Sequence, residues 1–377
     1  MPRYKLKDIC HKITDGSHNP PKGIEISEYL MLSSKNIYND LITYEQPRYL
    51  AKEEFEAENK RTDIQNGDVL LTIVGTVGRC AVYTSNENAN FVLQRSVAVL
   101  KPKQDIVASR YLMYKLISLS NIFQQEARGV AQKGIYLKQL ADIEIDVPSL
   151  ETQENIIRTL DKANELLDRR KEQIEVCNEL IKSQFIEMFG DPISNSMGWD
   201  KKLLGNECDI VTGNTPSRKV SEYYGEYIEW IKSDNINTPS ATLTTAAEYL
   251  SEQGLQVGRS VEAGSILMTC IAGSIKCIGN VAIADRQVSF NQQINAVVPK
   301  KHNTWFMYEM FKLSQPYIQS TINMSLKGIL SKGQLSELEF IFPPIELQNQ
   351  FAQFMQQVDK LKFIAFKSIN IMIFIDL

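Results

Sequence analysis

The chain has 377 residues, 43 % of them hydrophobic and 23 % charged, which is typical of a globular protein but long for a single domain. Its six cysteines form no Cys-x-x-Cys pair and its three histidines do not cluster near them, which argues against a zinc site and favours reduced thiols. The formal net charge of -4 argues against a protein that binds nucleic acid by overall charge alone.

The two ends of the chain show no membrane or export signal. The N-terminal segment MPRYKLKDIC lacks the hydrophobic core of a signal peptide. The longest apolar run, INIMIFI near the C-terminus, is too short to span a bilayer. We therefore predict a cytoplasmic protein that does not interact with a membrane.

The sequence repeats itself with a period of about 195 residues. Six segments recur in the same order: LKDICHKITDG with LGNECDIVTGN, LSSKNI with IKSDNI, GDVLLTIVGTVG with GSILMTCIAGSI, LQRSVAV with NQQINAV, LMYKLI with FMYEMF, and QLADIEIDVPSLETQENI with QLSELEFIFPPIELQNQF. The duplication predicts two domains of the same architecture in tandem.

Each copy is expected to be a mixed α/β domain. Short β-rich segments come first, at Asp68–Val74, Cys80–Tyr83 and Val97–Leu100 in one copy and at Ile266–Ile271, Val281–Ala284 and Ala296–Val298 in the other. A helix follows, because apolar residues recur at helical spacing: Leu112, Leu116, Leu119 and Phe123, then Phe306, Met310 and Leu313. A last short strand ends at the prolines of VPSLETQ and FPPIELQ.

A long helix is predicted after each domain. From Glu151 to about Phe189, apolar residues alternate in steps of three and four, which is typical of a coiled coil, and roughly 39 residues would form a rod of about 58 Å. The second helix starts at Glu346 and is shorter; its predicted seam is Phe351, Phe354, Val358, Leu361 and Ala365. The expected division is a first domain at residues 1–150, a long helix and linker at 151–192, a second domain at 193–345 and a second, shorter helix at 346–377.

This layout resembles the specificity subunit of type I restriction-modification systems. The most recognisable segments are TGNTPS, GDVLLTIVGTVG, NQQINAV, LEFIFPPIELQNQF and FGDP. The resemblance implies an α+β fold with two tandem target recognition domains, each followed by a long helix, and the two helices pairing as an antiparallel coiled coil. It also implies that each domain reads half of a bipartite site in double-stranded DNA. Two methyltransferase subunits would dock on the helices, and motor-nuclease subunits would join the full complex. The subunit itself would have no catalytic residue, metal or cofactor.

Polar residues in the paired loops are the predicted DNA contacts. Arginine pairs with guanine and glutamine with adenine, whereas glycine-bearing loops let the backbone approach phosphate. The alternatives are hydrogen bonds within a strand pair, tight hairpins that need glycine, and turn chemistry at asparagine. The candidates are Lys22, Lys35, Asn36, Thr76, Arg79, Gln94, Arg95, Lys133 and Tyr136 in the first copy, and Thr215, Arg218, Lys219, Asn235, Ser274, Lys276, Gln292, Gln293 and Lys327 in the second.

Two other functions are compatible with parts of the sequence. A stand-alone DNA methyltransferase would need a glycine-rich cofactor loop, and no Phe-x-Gly-x-Gly run occurs. The Asn19-Pro20-Pro21 run looks like a grip on extruded adenine, but Lys22 replaces the aromatic residue that would stack on the base, and the second copy reads TGNTPSRK there. The other alternative is a protein-interaction scaffold, with which the acidic net charge is compatible.

Overall fold

The computed structural model describes residues 1–38, 40–85, 89–128, 134–322 and 328–375. They form two compact units, residues 1–166 and 167–377. The boundary between the units falls inside the first long helix, Leu150–Phe189. The four-part division predicted from the sequence concerns segments of chain rather than compact units, and it stays a prediction.

The first unit is built around a four-stranded antiparallel sheet with the strand order Cys10–Asp15, Val97–Pro102, Val69–Thr72 and Cys80–Val82. A three-stranded sheet consists of Arg48–Leu50, Tyr29–Leu32 and Phe91–Leu93, and two-stranded pairs join Arg3–Lys5 with Glu144–Asp146 and Ile37–Tyr38 with Leu41–Ile42. The helices are Leu6–Ile9, Lys52–Thr62, Ser109–Ser118, Ser120–Arg128, Leu137–Asp142 and the start of Leu150–Phe189, with a 3-10 turn at Ser34–Asn36.

The second unit repeats this plan. Its central sheet has the order Cys208–Thr212, Ile294–Pro299, Ile266–Thr269 and Val281–Ile283. A further sheet consists of Tyr249–Leu250, Tyr224–Ile231, Val288–Phe290 and Ser260–Val261, and Lys201–Leu203 pairs with Glu339–Ile341. The helices are Leu204–Glu207, Glu252–Val257, Thr304–Leu313, Gln315–Ser320, Lys332–Glu337 and Ile345–Ile375, with 3-10 turns at Ser221–Tyr223, Ser233–Asn235 and Ile275–Cys277.

Burial on both faces explains why the central strands are continuously apolar. In the first unit, Val69 and Leu71 pack in the core that contains the helix Ser109–Ser118. Leu70 points to the other face and packs against the three-stranded sheet. A strand covered on both sides has no solvent-facing position, so it does not alternate polar and apolar residues. The predicted β segments all contain strands, whereas the three-stranded sheet and the helix Lys52–Thr62 were not predicted.

The helix predicted through Leu112 and Phe123 is two helices. The first ends at Ser118, and Leu119 adopts φ -91° and ψ 1°, outside helical geometry. The second begins at Ser120. Leu112 and Phe123 are nevertheless both fully buried. The apolar spacing therefore predicted the buried positions correctly but not the break between the helices.

A buried glutamine anchors the start of each long helix. Gln153 donates to the Pro148 carbonyl oxygen (2.8 Å) and accepts from the Ala108 backbone N–H (2.8 Å). Gln348 makes the same bonds to Pro343 (2.7 Å) and to the Asn303 N–H (2.9 Å). Both side chains are fully buried. A pair of buried, hydrogen-bonded amides therefore fixes how each helix leaves its domain.

The two long helices pack antiparallel within the second unit, which confirms the predicted coiled coil. The Phe185 and Phe189 rings lie 5.3 and 5.8 Å from the ring of Phe351 near the start of the second helix. Closer to the N-terminus of the first helix, the Cys177 thiol interacts electrostatically with Lys362, which lies closer to the C-terminus of the second helix. Because position numbers rise along one helix as they fall along the other, the helices run in opposite directions.

The seam of the second helix differs from the prediction at two places. Phe351, Val358 and Ala365 are buried as expected, but Phe354 is only partly buried and Leu361 is 51 % exposed. The corresponding inward positions hold Met355 and Lys362, which are 1 % and 5 % exposed. The helix phase places residues 351, 355, 358, 362 and 365 on one stripe, and a lysine therefore occupies an apolar seam.

Candidate nucleic-acid interface

Five segments of the first unit meet at one end of the central sheet. The Ser34 backbone N–H donates to the Ser96 hydroxyl (3.0 Å), and the Ile73 N–H donates to the Ser96 carbonyl (2.9 Å). The Ile135 N–H in turn donates to the Ile73 carbonyl (2.9 Å). We call this set the first loop cluster; it comprises residues 16–18, 33–38, 73–79, 94–96 and 134–136.

The second unit assembles the equivalent segments in the same way. The Cys270 N–H donates to the Gln293 carbonyl (2.8 Å), and the Leu330 N–H donates to the Cys270 carbonyl (2.9 Å). The Asn291 N–H donates to the Ile231 carbonyl (3.0 Å) at the start of the neighbouring turn. We call residues 213–215, 232–237, 270–280, 291–293 and 328–330 the second loop cluster.

A glycine is required at the same point in both clusters. A side chain at Gly16 would overlap the Leu93 carbonyl, and one at Gly213 would overlap the Asn291 carbonyl. The Gly16 N–H bonds to Val97 and the Gly213 N–H to Ile294, so the two glycines are structural equivalents. The close approach of two backbones, which only glycine permits, fixes the first segment of each cluster.

Most predicted DNA-contacting residues of the first copy lie in the first loop cluster. Lys35, Thr76, Arg95 and Tyr136 are exposed, and Gln94 and Arg79 are half-buried. Lys22 is also exposed but lies outside the cluster: the neighbouring Ile24 N–H bonds to the Tyr49 carbonyl (2.9 Å) of the three-stranded sheet. Lys133 falls outside the described residues.

In the second copy the predicted residues are more often engaged locally. The Thr215 hydroxyl hydrogen-bonds to the Gln292 amide oxygen, and the Gln293 amide oxygen accepts from Asn291 (3.1 Å). Ser274 caps the turn that contains Lys276. Thr215, Gln292, Ser274 and Lys276 are exposed, whereas Gln293 is half-buried and Asn291 is buried. Lys327 falls outside the described residues.

Arg218 and Lys219 lie on the surface beside the second loop cluster. The Arg218 guanidinium stacks 4.4 Å from the centre of the Tyr224 ring and pairs with the Glu248 carboxylate (2.5 Å). Lys232, which the sequence reading missed, pairs with the same carboxylate. The hydrogen bond from Lys232 lowers the pKa of Glu248 most, and the hydrogen bond from Arg218 lowers it further. Lys219 is exposed.

Asn36 and Asn235 are turn residues rather than exposed contacts. The Asn36 amide oxygen accepts from the Ser33 N–H (3.0 Å), and its NH₂ group donates to the Glu45 carbonyl (3.0 Å). Asn235 accepts from the Lys232 N–H (3.1 Å) and donates to the Thr245 carbonyl (3.0 Å). Both are buried, at 4 % and 7 % exposure. This is the turn chemistry that was the alternative to DNA contact, and it arises because asparagine readily bonds nearby backbone.

The hairpin loops of the two copies do not align as the sequence suggested. In the first, the Thr72 N–H bonds to the Arg79 carbonyl and the Gly78 N–H to the Thr72 carbonyl. In the second, Thr269 makes the same two bonds with Asn280 and Gly279. The structural counterpart of Arg79 is therefore Asn280 and not Lys276, because the second loop is longer between equivalent anchor points.

The described residues hold no cluster typical of a metal site, and two of their buried thiols are protonated. No group of three or more histidine, cysteine or acidic residues with metal-binding geometry occurs among them. Burial raises the pKa values of the Cys10 and Cys208 thiols to about 12, so these thiols stay protonated at neutral pH and are not nucleophiles. Within the same residues, no helix is long and apolar enough to cross a membrane.

Comparisons with known proteins agree with this architecture. The type I restriction modification DNA specificity domain matches the chain twice, over residues 2–176 and 197–372. The HindI specificity subunit of Haemophilus influenzae is 23 % identical over 368 residues, covering 75 % of this chain and 78 % of that protein. The putative MjaX specificity subunit of Methanocaldococcus jannaschii is 24 % identical over 322 residues, covering 78 % and 72 %.

Solved structures show the same fold. The type I restriction-modification S subunit from M. genitalium superposes with a TM-score of 0.62 at 14 % identity, covering 100 % of this chain and 93 % of that one. A chain from a structure of type I R-M complex assembly and conformational transition has a TM-score of 0.52 at 17 % identity, covering 100 % and 95 %. The chain belongs to the type I restriction modification DNA specificity family, which confirms the resemblance seen in the sequence and makes it a non-catalytic specificity subunit.

Proposed function

We propose that this chain reads a bipartite sequence in double-stranded DNA through its two loop clusters and directs adenine methylation and DNA cleavage by partner subunits. The observation that carries the proposal is that the same five backbone segments meet in both units but present different side chains. Exposed polar side chains on a rigid framework are the usual means of reading base edges. Two such surfaces with different chemistry suit two half-sites with different sequences.

Local charge supports DNA as the ligand despite the acidic chain. The segments of the first loop cluster contain Lys35, Arg79 and Arg95 but no aspartate or glutamate. The second contains Lys232 and Lys276 against a single acid, Asp234. Basic side chains thus outnumber acidic ones within both clusters, more strongly in the first, and a phosphate backbone responds to this local charge rather than to the net charge of -4.

The long helices supply surfaces for the partner subunits. Val176 and Leu180 of the first helix are 61 % and 47 % exposed, and Leu361, Phe363 and Ile364 of the second are 51 %, 66 % and 56 % exposed. Apolar side chains left outside the seam favour a protein partner. Within the proposal, the two methyltransferase subunits dock on the helical segments 151–192 and 346–377, residues 1–150 and 193–345 read DNA, and motor-nuclease subunits join the full complex.

Mapping N6-methyladenine in cells that express the chain with its cognate methyltransferase tests the proposal. We expect methylation at a motif of two short defined sequences separated by a non-specific spacer. Exchanging residues 1–150 for the corresponding segment of another specificity subunit should change one half of the motif and leave the other half intact.

The same cells give the outcome that would contradict it. A chain that assembles with the methyltransferase yet confers no sequence-dependent methylation or DNA binding would be a protein-interaction scaffold. Expression of the methyltransferase without this chain is the control, and it should leave the genome without the motif.

A further inference from the structure

Tyr38 and Arg79 form an exposed pair at the rim of the first loop cluster. The Arg79 guanidinium carbon lies 4.7 Å from the centre of the Tyr38 ring, within the range of a cation–π contact. Tyr38 is 49 % exposed and Arg79 is half-buried. The stacked ring holds the guanidinium in one plane while its N–H edges stay available, which reduces the rotamer entropy lost when it binds.

Asn237 and Asn280 form an equivalent pair in the second loop cluster. The Asn280 NH₂ group donates to the Asn237 amide oxygen (2.8 Å), and the Asn280 oxygen accepts from Gln315 (2.6 Å). Asn237 is exposed, whereas Asn280 is half-buried. Gln315 thus anchors Asn280, and Asn280 orients the exposed side chain of Asn237.

The shared turn and the strand register place the two pairs in corresponding loops of the duplicated fold. Asn36 and Asn235 close the same turn, and Tyr38 and Asn237 each follow it by two residues, although the backbone is extended at Ile37 and helical at Ile236. Strand register pairs Leu71 with Cys80 in one unit and Met268 with Val281 in the other, so residue 79 corresponds to residue 280. Both side chains differ between the copies: the first has the aromatic Tyr38 and the cationic Arg79, and the second has the amides Asn237 and Asn280.

The two pairs differ in their functional groups and in the local backbone beside the shared strand register. Residues 79 and 280 share the same strand register, whereas Tyr38 lies in a short strand paired with Leu41 and the Asn237 N–H bonds back to the Ser233 carbonyl (2.9 Å); Tyr38 and Asn237 are both exposed. What changes is the set of functional groups that the rim presents. Arginine offers two parallel donors that match guanine O6 and N7, and asparagine offers one donor and one acceptor that match adenine N6 and N7.

We propose that these two positions are a base-reading pair, in which Arg79, held by Tyr38, contacts a guanine in one half-site, and Asn237, held by Asn280, contacts an adenine in the other. This inference rests on the proposed function. Arg79 and Asn237 touch the bases, and Tyr38 and Asn280 are positioning residues.

The test uses the chain assembled with its cognate methyltransferase and duplexes that carry the methylated motif. Each guanine is replaced in turn by 7-deazaguanine and each adenine by 7-deazaadenine, which removes the N7 acceptor and keeps base pairing. At one guanine, 7-deazaguanine should weaken DNA binding by the wild-type complex about tenfold, because one base contact is worth about that factor. The same replacement should not change DNA binding by Arg79→Ala, which lacks the contact. One 7-deazaadenine in the other half should behave in the same way with Asn237→Ala. Lys52→Ala and Asn206→Ala, at exposed positions outside both clusters, should keep the wild-type penalties.

Either of two results overturns the inference while leaving the proposed function intact. In one, the wild-type complex prefers its motif but no 7-deaza base weakens it; in the other, both alanine variants keep the full penalties. If Arg79→Ala binds too weakly to titrate, Arg79→Lys is measured instead: it keeps the charge without the two parallel donors, so a smaller penalty supports the inference and an unchanged one overturns it. A wild-type complex with no preference for the motif over a scrambled duplex would instead overturn the proposed function.

Discussion

The two loop clusters share a backbone but differ in how their side chains are held. In the first, Lys35 and Arg95 are exposed, and no side-chain partner is seen for either within the described part of the chain. In the second, the equivalent surface is a set of local pairs, such as Thr215 with Gln292. The turn asparagines and the close-approach glycines are the same in both. Duplication has therefore preserved the residues that direct the backbone and changed those that face outward.

The largest expected effect concerns a feature that the two copies share. Gln153→Ala leaves the Ala108 N–H and two carbonyls, of Ile106 and Pro148, without their buried partner. An unsatisfied buried group costs about 1–3 kcal/mol, so we expect the unfolding free energy of the first unit to fall by about 3 kcal/mol or more. Gln348 also hydrogen-bonds to the Nδ1 atom of His302 (3.2 Å). Gln348→Ala should lower the unfolding free energy somewhat less, because His302 keeps its other hydrogen bond, to Glu207 (2.7 Å).

Tryptophan fluorescence separates the two variants during urea unfolding. All three tryptophans, Trp199, Trp230 and Trp305, belong to the second unit. Gln348→Ala should shift the fluorescence transition, whereas Gln153→Ala should shift the circular dichroism transition and leave the fluorescence unchanged. Gln357→Ala, at an exposed site on the second helix, is the control. Equal shifts for Gln357→Ala and Gln348→Ala would contradict the buried-anchor interpretation.

The next effect comes from a seam position at which the copies differ. The repeat aligns Lys362 with Leu167, and the Lys362 ammonium lies 3.9 Å from Asp359 in a side chain that is only 6 % exposed. Burial, followed by the charge of Lys312, lowers the pKa of Lys362. Replacing a poorly paired buried charge with a hydrophobic residue is often stabilising, so Lys362→Leu should raise the unfolding free energy of the second unit by about 2 kcal/mol.

Fluorescence-detected urea unfolding measures this change as well. Lys360→Leu, the same substitution at an exposed neighbouring position, should alter the unfolding free energy by less than about 0.5 kcal/mol. A loss of stability in Lys362→Leu would mean that the ammonium is better stabilised in the seam than its distance from Asp359 implies.

The smallest effect has opposite signs in the two copies. The Thr72 hydroxyl donates to the Thr76 carbonyl (2.5 Å) and accepts from the Arg79 N–H (2.9 Å), whereas the buried Thr269 hydroxyl has no partner among the described residues. Thr72→Val should therefore destabilise the first hairpin by about 1 kcal/mol, and Thr269→Val should stabilise the second unit by a similar amount. Hydrogen exchange at the two hairpins measures both; a change of the same sign at both sites would contradict the comparison.

The duplication, the long helices and the family were all predictable from the amino-acid sequence. These features depend on periodicity and on the order of segments, which do not require contacts to be known. The apolar steps along residues 151–189 predict the helix because the 3.6-residue period places them on one side. Along this predicted seam Ile174, Cys177, Ile181 and Phe185 are buried, whereas Ile156, Leu160, Ala163, Leu167 and Met188 are half-buried.

Which polar residues face outward could not be predicted without the contacts between distant segments. Asn36 and Tyr38 are only two residues apart, yet hydrogen bonds across the turn bury the first and leave the second exposed. Arg79 corresponds to Asn280 because strand register, and not the local sequence, fixes where each loop closes. Likewise, the phase of the second helix turned Lys362 inward and Leu361 outward. The physical reason is common to all three: side-chain direction is set by backbone hydrogen bonds and packing between segments far apart in the sequence.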